Sequence, residues 1–525
     1  MCPRLVTSDG PPKLPTRVLN VTKSVSRSVR LLETEGEVGY WACLSHSWGG
    51  EQPLITTNDT IASHLENIPW ESLPKTFQDA VFVARAFEIQ YLWIDSLCII
   101  QDDVDDWQVE SSHMADIYHN AILTIAGSAS SGPHQGIFRK SHPAHVDSPL
   151  SETSGNRSFK KFRRRKPLVH DPAQLPLLSR GWVHQERLLS SRFLHFGQNE
   201  LVWECMESLT CECGALHLTA ASSGAWLAPK RSIHPYSLQF VDWMKRLGPP
   251  VWHAVVSDYS RMALTKQDDI FPAVSGLAKS VIKSTGWEYV AGLWKENMIT
   301  DLVWYTSDPQ LASRCVPWRA PTFSWASIKN NICDGTNRFS SPINYGKMDI
   351  LRQGLKGSPD PRRTTSSYAT LVEASCTPVA NDLTGRLVSG YIVMRGTLIK
   401  TALYRSEPDG KWHITARGKS PHRQNNFKMD YALNQDATLI WSRSGKVHCL
   451  RLIGTKKNVE YEDEEFLVYL VLRQVQMIPV EFGTHGGETG SFERIGLLTN
   501  EHGEIQLEDE SEPSDILRDV LVKIV

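Results

Sequence analysis

The chain has 525 residues, 56 basic and 58 acidic side chains, a formal net charge of −2 and a 41% apolar fraction. That length can bury a large core without disulfide staples, and the near-neutral charge excludes a globally basic nucleic-acid binder, so no nucleic-acid partner is expected. No apolar run approaches the ~20 residues of a membrane span, no apolar leader follows Met1, and the ten scattered cysteines therefore read as reduced thiols in a cytosolic or nuclear protein, with a cytoplasmic location expected.

Residues 1–39 are rich in Pro, Ser, Thr and charge and are expected to form a polar, loosely attached arm. Patterning starts at Tyr40. Trp41–Ser45 is an apolar run stopped by Trp48-Gly49-Gly50, which predicts a buried strand and a glycine turn. Pro74 suits the first turn of a helix, and Phe77, Ala80, Val81, Ala84 and Phe87 follow with the spacing of a buried stripe. Tyr91–Ile94 predicts a second strand, ending in Asp95. Asp105 and Asp106 are candidate caps for the next helix, on which Trp107, Met114, Ile117, Tyr118 and Ala121 share a face. Ala121–Ala126 predicts a third strand, closed by small residues up to Gly132. Alternating strands and helices imply a parallel sheet with helical crossovers, and open sheets of this kind place ligands just past the C-terminal ends of their strands. Ser45, His46, Ser47, Asp95 and Ser96 stand at those ends.

Residues 140–178 break the pattern as a long polar insertion. Seven of the ten residues from Arg157 to Lys166 are basic, which suits either a solvated loop or a nuclear-import or anion-binding patch. A helix around Arg180–Glu186 follows, then short strands near Phe193–Phe196 and Leu201–Glu204. Residues 206–335 are expected to form a mainly helical extension and 336–525 a β-rich C-terminal domain, with 40–205 as the α/β body. Fifteen of the 17 tryptophans precede residue 330, inside the body and its extension.

The motifs of several common chemistries are absent. There is no G-x-S-x-G, H-E-x-x-H or G-x-G-x-x-G, and Gly418-Lys419-Ser420 lacks a Walker glycine because His413 stands in its place. The aspartates at 102, 103, 105 and 106 lack EF-hand spacing and suit a helix N-terminus. Cys205, Cys211, Cys213 and His217 supply four soft donors, but not at the spacing of paired zinc knuckles, so no metal is assigned. Cys98, between Leu97 and Ile99, reads as an inert core thiol rather than a nucleophile.

Four ordered segments carry a resemblance: Leu44–Gly49 (LSHSWG), Tyr91–Asp102 (YLWIDSLCIIQD), Met114–Ala121 (MADIYHNA) and Arg180–Arg187 (RGWVHQER). Together they resemble the heterokaryon incompatibility (HET) domain of filamentous fungi. Pieces such as Leu194–Gly197, Val202–Cys205 and Phe323–Ser327 resemble the downstream parts of long members. Two features depart from the family pattern: His46 replaces a common aromatic, and the basic insertion is extra.

The resemblance implies a role in non-self recognition, in which fusion of incompatible cells triggers growth arrest and programmed cell death. It implies a distant TIR-like α/β fold. Enzymatic TIR domains cleave NAD at the nicotinamide–ribose bond with a glutamate in a W-x-x-x-E arrangement, to which Trp182…Glu186 is similar. On that reading NAD is a substrate, no cofactor is needed, and the partner is a second copy or another incompatibility protein. Nicotinamide leaves as a neutral molecule, so one carboxylate beside an oxocarbenium-like ribose suffices. Glu186 is the catalytic candidate, and Ser45, His46, Trp48, Asp95 and Trp182 are candidates to line the cleft. Two alternatives stand beside it: a buried Glu186 paired with Arg180, Arg187 or a backbone amide, and a non-enzymatic module that recruits cell-death partners.

Overall fold

The computed structural model describes residues 10–22, 29–50, 54–142, 148–149, 163–164, 175–206, 208–214, 250–330, 343–345, 363–405, 411–417, 426–433, 444–457, 464–475, 490–500, 507 and 511–525. The first unit, Met1–Lys245 with Met262–Thr265 and Pro272–Ser284, is built on one eight-stranded mixed sheet. Its strands are β1 (Arg17–Asn20), β2 (Arg30–Glu33), β3 (Trp41–Ser45), β4 (Tyr91–Trp93) and β5 (Leu123–Ala126). A two-residue ribbon, β6 (Ser148–Pro149) with β7 (Arg163–Arg164), stands apart from it, and β8 (Arg192–Phe196), β9 (Leu201–Cys205) and β10 (Leu209–Cys211) complete it. The order across the sheet is β10-β9-β8-β5-β3-β4-β1-β2.

The expected parallel sheet is correct only for its middle. β4, β3, β5 and β8 run parallel, while β1–β2 on one side and β9–β10 on the other are antiparallel. Every residue of β3 and β5 is buried, as strands covered on both faces require. The helices are α1 (Ile61–Glu66), α2 (Lys75–Ala86), the single turn α3 (Asp95–Cys98), α4 (Val104–Asn120), α5 (Gly181–Leu189) and α6 (Pro272–Thr285). Helices α2, α4 and α5 are the crossovers between the parallel strands.

Three local expectations change. Arg17–Asn20 and Arg30–Glu33 are strands of the sheet rather than a loose arm. Arg17 is 4% exposed and its guanidinium bonds the Asp106 carboxylate at 2.5 and 2.6 Å and the Cys98 carbonyl at 2.8 Å, which offsets its desolvation. Helix α4 is capped by Asp103, whose carboxylate accepts from the amides of Asp105 and Asp106 at 3.0 Å each; those two occupy its first turn. Phe77, Ala80, Val81 and Ala84 of α2 are buried as the stripe predicts. Phe87 is 60% exposed, because the helix ends at Ala86 and Glu88 turns the chain with φ 58°.

The packing of α6 explains one glycine. A Cβ on Gly276 would lie 2.5 Å from the Ala115 Cβ of α4, so a smaller residue is needed where α6 meets α4. The basic run 157–166 lies outside the described residues except for Arg163 and Arg164.

The second unit is Arg246–Arg261, Lys266–Phe271 and Thr285–Val525. Its helix Pro250–Tyr259 and several two- and three-residue ribbons gather a tryptophan-rich core. Trp252 and Trp325 both donate to the Gly292 carbonyl, at 2.8 and 3.1 Å, and Trp252 packs edge-on to Trp294 at 5.3 Å. The described residues from 363 to 525 form the expected β-rich region, a nine-stranded sheet. Its pairing is cyclic: Leu387–Arg405 pairs Ser444–Lys457, which leads through Glu464–Gln474, Ser491–Asn500 and Ile516–Ile524 back to Leu387–Arg405. Among the described residues no helix is long and apolar enough to cross a membrane.

Candidate functional site

The site is assembled where the parallel strands end. β3 stops at Ser45 because Trp48, Gly49 and Gly50 turn the chain. Gly49 has φ 65°, and a Cβ there would sit 2.6 Å from the Ser131 carbonyl oxygen, so this loop lies directly on the loop after β5. β4 ends two residues before Asp95, which opens α3 and accepts from the Ser96 amide at 2.7 Å. Glu186 comes from the penultimate turn of α5, a helix whose buried face includes Val183, Glu186 and Leu189.

Ser45 Oγ donates to Glu186 Oε2 at 2.5 Å, joining β3 to α5 across 141 residues. Both side chains are buried. Burial pushes the Glu186 carboxyl up to about 7; the Ser45 hydrogen bond opposes that rise, the Asp95 charge adds to it, and Arg180 and the Tyr118 hydroxyl oppose it. The carboxyl is thus held near the midpoint of its titration at neutral pH.

His46 Nδ1 lies 3.7 Å from Asp95 Oδ1, and the ring packs edge-on to Phe77 at 4.9 Å. Burial pushes His46 down to about 4, against the pull of Asp95 and aided by Arg180, so it is neutral. Its Nε2 is buried with no hydrogen-bond partner among the described residues. Trp48 Nε1 donates to Asp95 Oδ2 at 3.2 Å, and Arg180 donates to the His46 carbonyl oxygen. The Asp95 side chain is 23% exposed, so the site is graded from the buried Ser45–Glu186 pair to a partly open rim of Asp95, Trp48 and Arg180.

Ser45, His46, Trp48, Asp95 and Glu186 are therefore neighbours in space. Trp182 is half-buried one turn before Glu186, and its ring is set edge-on to Trp107 of α4 at 6.3 Å, which wedges α5 against α4. Arg187 does not pair with Glu186. It bonds Glu204 of β9 at 2.8 and 3.0 Å, and Glu204 also meets His195 at 3.1 Å. Tyr118 is the site residue that sequence reading placed only in the core. Its hydroxyl reaches both Glu186 and the Leu44 carbonyl, the latter at 3.4 Å, and only the polar tip on an otherwise apolar helix face signalled this.

Two cysteine expectations can be placed as well. Cys98 is fully buried and its thiol is pushed up to about 12, so it does not ionise near neutrality. Of the four candidate zinc donors, Cys205 is buried beside Ser208, Cys211 and Cys213 adjoin one another, and His217 lies outside the described residues.

No curated protein matches the chain, and no solved structure does. Residues 41–186 match the family model described as Heterokaryon incompatibility protein (HET). The match begins on the first residue of β3 and ends on the buried glutamate of α5, so the segment that builds this site is the part of the chain that is similar to the HET family.

Proposed function

We propose that the chain is an effector of heterokaryon incompatibility, arresting growth or killing the fusion cell, and that its HET domain acts by TIR-like hydrolysis of NAD. The observation that carries this reading is the buried Glu186 carboxyl, hydrogen-bonded by Ser45 at the strand ends and held near a pKa of about 7. NAD carries its nicotinamide as a pyridinium cation. A cation beside Glu186 favours the ionised carboxylate, and Asp95 at the rim adds a second negative charge that attracts it. Ser45 fixes the carboxylate so that it faces the charge developing on the ribose. The C1′–N bond breaks, nicotinamide leaves with its electron pair, and water forms the C1′–O bond. One proton is released, which a carboxylate of this pKa can accept. The unpartnered His46 Nε2 offers a hydrogen bond to the ligand. The similarity of Trp182…Glu186 to W-x-x-x-E supports the same assignment.

The test is nicotinamide release from NAD by the purified full chain, dispersed and artificially clustered, beside a Glu186→Gln variant whose fold is checked by circular dichroism. Turnover reduced by on the order of 100-fold or more in a folded variant is expected. A clustered wild-type protein without turnover refutes the enzymatic reading.

A second reading is favoured by one observation: Glu186 is only 5% exposed and already has Ser45 and Tyr118 as partners. In that reading the domain is a non-enzymatic module that self-associates or recruits cell-death partners, and Glu186 is structural. It predicts that killing survives Glu186→Gln.

A further inference from the structure

We infer that the β9–β10 edge of the sheet carries a zinc site built from Glu200, Cys211 and Cys213. The end of the β9–β10 hairpin and the turn after it bring the three together. Cys211 ends β10 opposite Val202; the chain then turns, the Gly214 amide donating to the Cys211 carbonyl at 3.1 Å, and Glu200 stands just before β9. That turn folds Cys213 back beside Cys211, and the Cys213 amide bonds the Glu200 carboxylate at 2.7 Å, which holds the acid against the turn. Their donor atoms all lie within 4.8 Å of one another.

The distances suit coordination. Cys211 Sγ is 3.4 Å from Cys213 Sγ, and Cys213 Sγ is 3.3 Å from Glu200 Oε1. A tetrahedral ion with Zn–S of about 2.3 Å and Zn–O of about 2.1 Å separates its donors by roughly 3.5–3.8 Å. Those two pairs thus need to open by only a few tenths of an ångström, and the Cys211–Glu200 pair already lies within 4.8 Å. Glu200 Oε2 accepts the Cys213 amide at 2.7 Å, which fixes the carboxylate and leaves Oε1 towards the thiols, the outer-shell support a metal ligand needs.

The chemistry selects the ion. Two thiolates and a carboxylate packed together would repel one another without a cation, and soft sulfur donors favour zinc over calcium or magnesium. Glu200 is 8% exposed and both cysteines are half-buried, so an ion can enter while the carboxylate stays ordered. Three protein donors leave a fourth position for water. Binding displaces up to two thiol protons and clips the three-residue strand β10 onto β9.

The test uses the reduced, chelator-treated full chain titrated with Co²⁺ and then Zn²⁺. One Co²⁺ per chain with tetrahedral d–d bands and thiolate charge-transfer absorption is expected. Zn²⁺ should displace it and slow hydrogen exchange in β9 and β10. The double variant Cys211→Ser/Cys213→Ser should lose the absorption, Glu200→Gln should weaken binding, and Cys205→Ser should retain it, with circular dichroism confirming each fold. No cobalt spectrum from folded wild-type protein, or binding that survives loss of both thiols, overturns the assignment. So does a Cys211–Cys213 disulfide that persists under mild reductant.

Discussion

Replacing Glu186 by Gln isolates what burial does to that carboxyl. Its pKa rises from 4.5 to about 7 in the folded chain, and at about 1.36 kcal/mol per unit the difference is about 3 kcal/mol. Between those two values the folded state holds a proton that the unfolded chain has released. Its contribution is therefore most favourable below about pH 4.5, falls as pH rises to about 7, and is flat beyond. Gln keeps an acceptor for Ser45 Oγ and never ionises. The variant should match wild type near pH 5 and be more stable by up to about 3 kcal/mol near pH 8. Amide hydrogen exchange in β3 and α5, corrected for intrinsic rates, reads the stability of this unit without requiring the whole chain to unfold in one step. A variant that is less stable than wild type near pH 8 would refute the reasoning. Glu186 would then be an ionised partner of Arg180 rather than a carboxyl strained by desolvation.

Other perturbations test separate parts of the account. His46 titrates at about 4 when folded and 6.5 when not, so acidification through that window removes about 3 kcal/mol; His46→Asn should flatten the acid limb of an unfolding titration. Arg494 is fully buried, bonds Asp430 at 2.8 and 3.0 Å and the Leu302 carbonyl at 2.7 Å, and lies over the Trp304 ring. Arg494→Lys cannot reproduce that fork and should cost about 3–5 kcal/mol, read as a lower melting temperature of the second unit. Gly276→Val should cost about 1–3 kcal/mol by overpacking against Ala115, and adding Ala115→Gly should recover part of it in a double-mutant cycle.

What sequence patterning could and could not reveal follows from the range of the interactions. Ser45, His46 and Asp95 were legible because an apolar run that stops abruptly marks a strand end, and in open α/β sheets those ends converge. Glu186 was legible as a carboxylate on a helix of the same body. Arg17 was not legible as a buried residue, because its partner Asp106 is 89 positions away and the polar text around it reads as an arm. The antiparallel edges and the cyclic pairing of the C-terminal strands depend on register between distant segments, such as Ile392 with Ile524. No local period encodes that. Glu200 shows the same lesson at short range: the cysteine spacing points to Cys205, Cys211, Cys213 and His217, while the turn after β10 sets Glu200 beside Cys211 and Cys213. Phe87 fits the periodicity of α2 and is nevertheless exposed, since periodicity does not announce where a helix stops.

The central claim is that Glu186 does chemistry on NAD, and single-turnover analysis of the clustered full chain tests it most directly. With enzyme in excess over NAD, the account predicts equal amounts of nicotinamide and ADP-ribose from wild type and neither from a folded, more stable Glu186→Gln variant. Equal product from both proteins, or intact NAD with both, would contradict it.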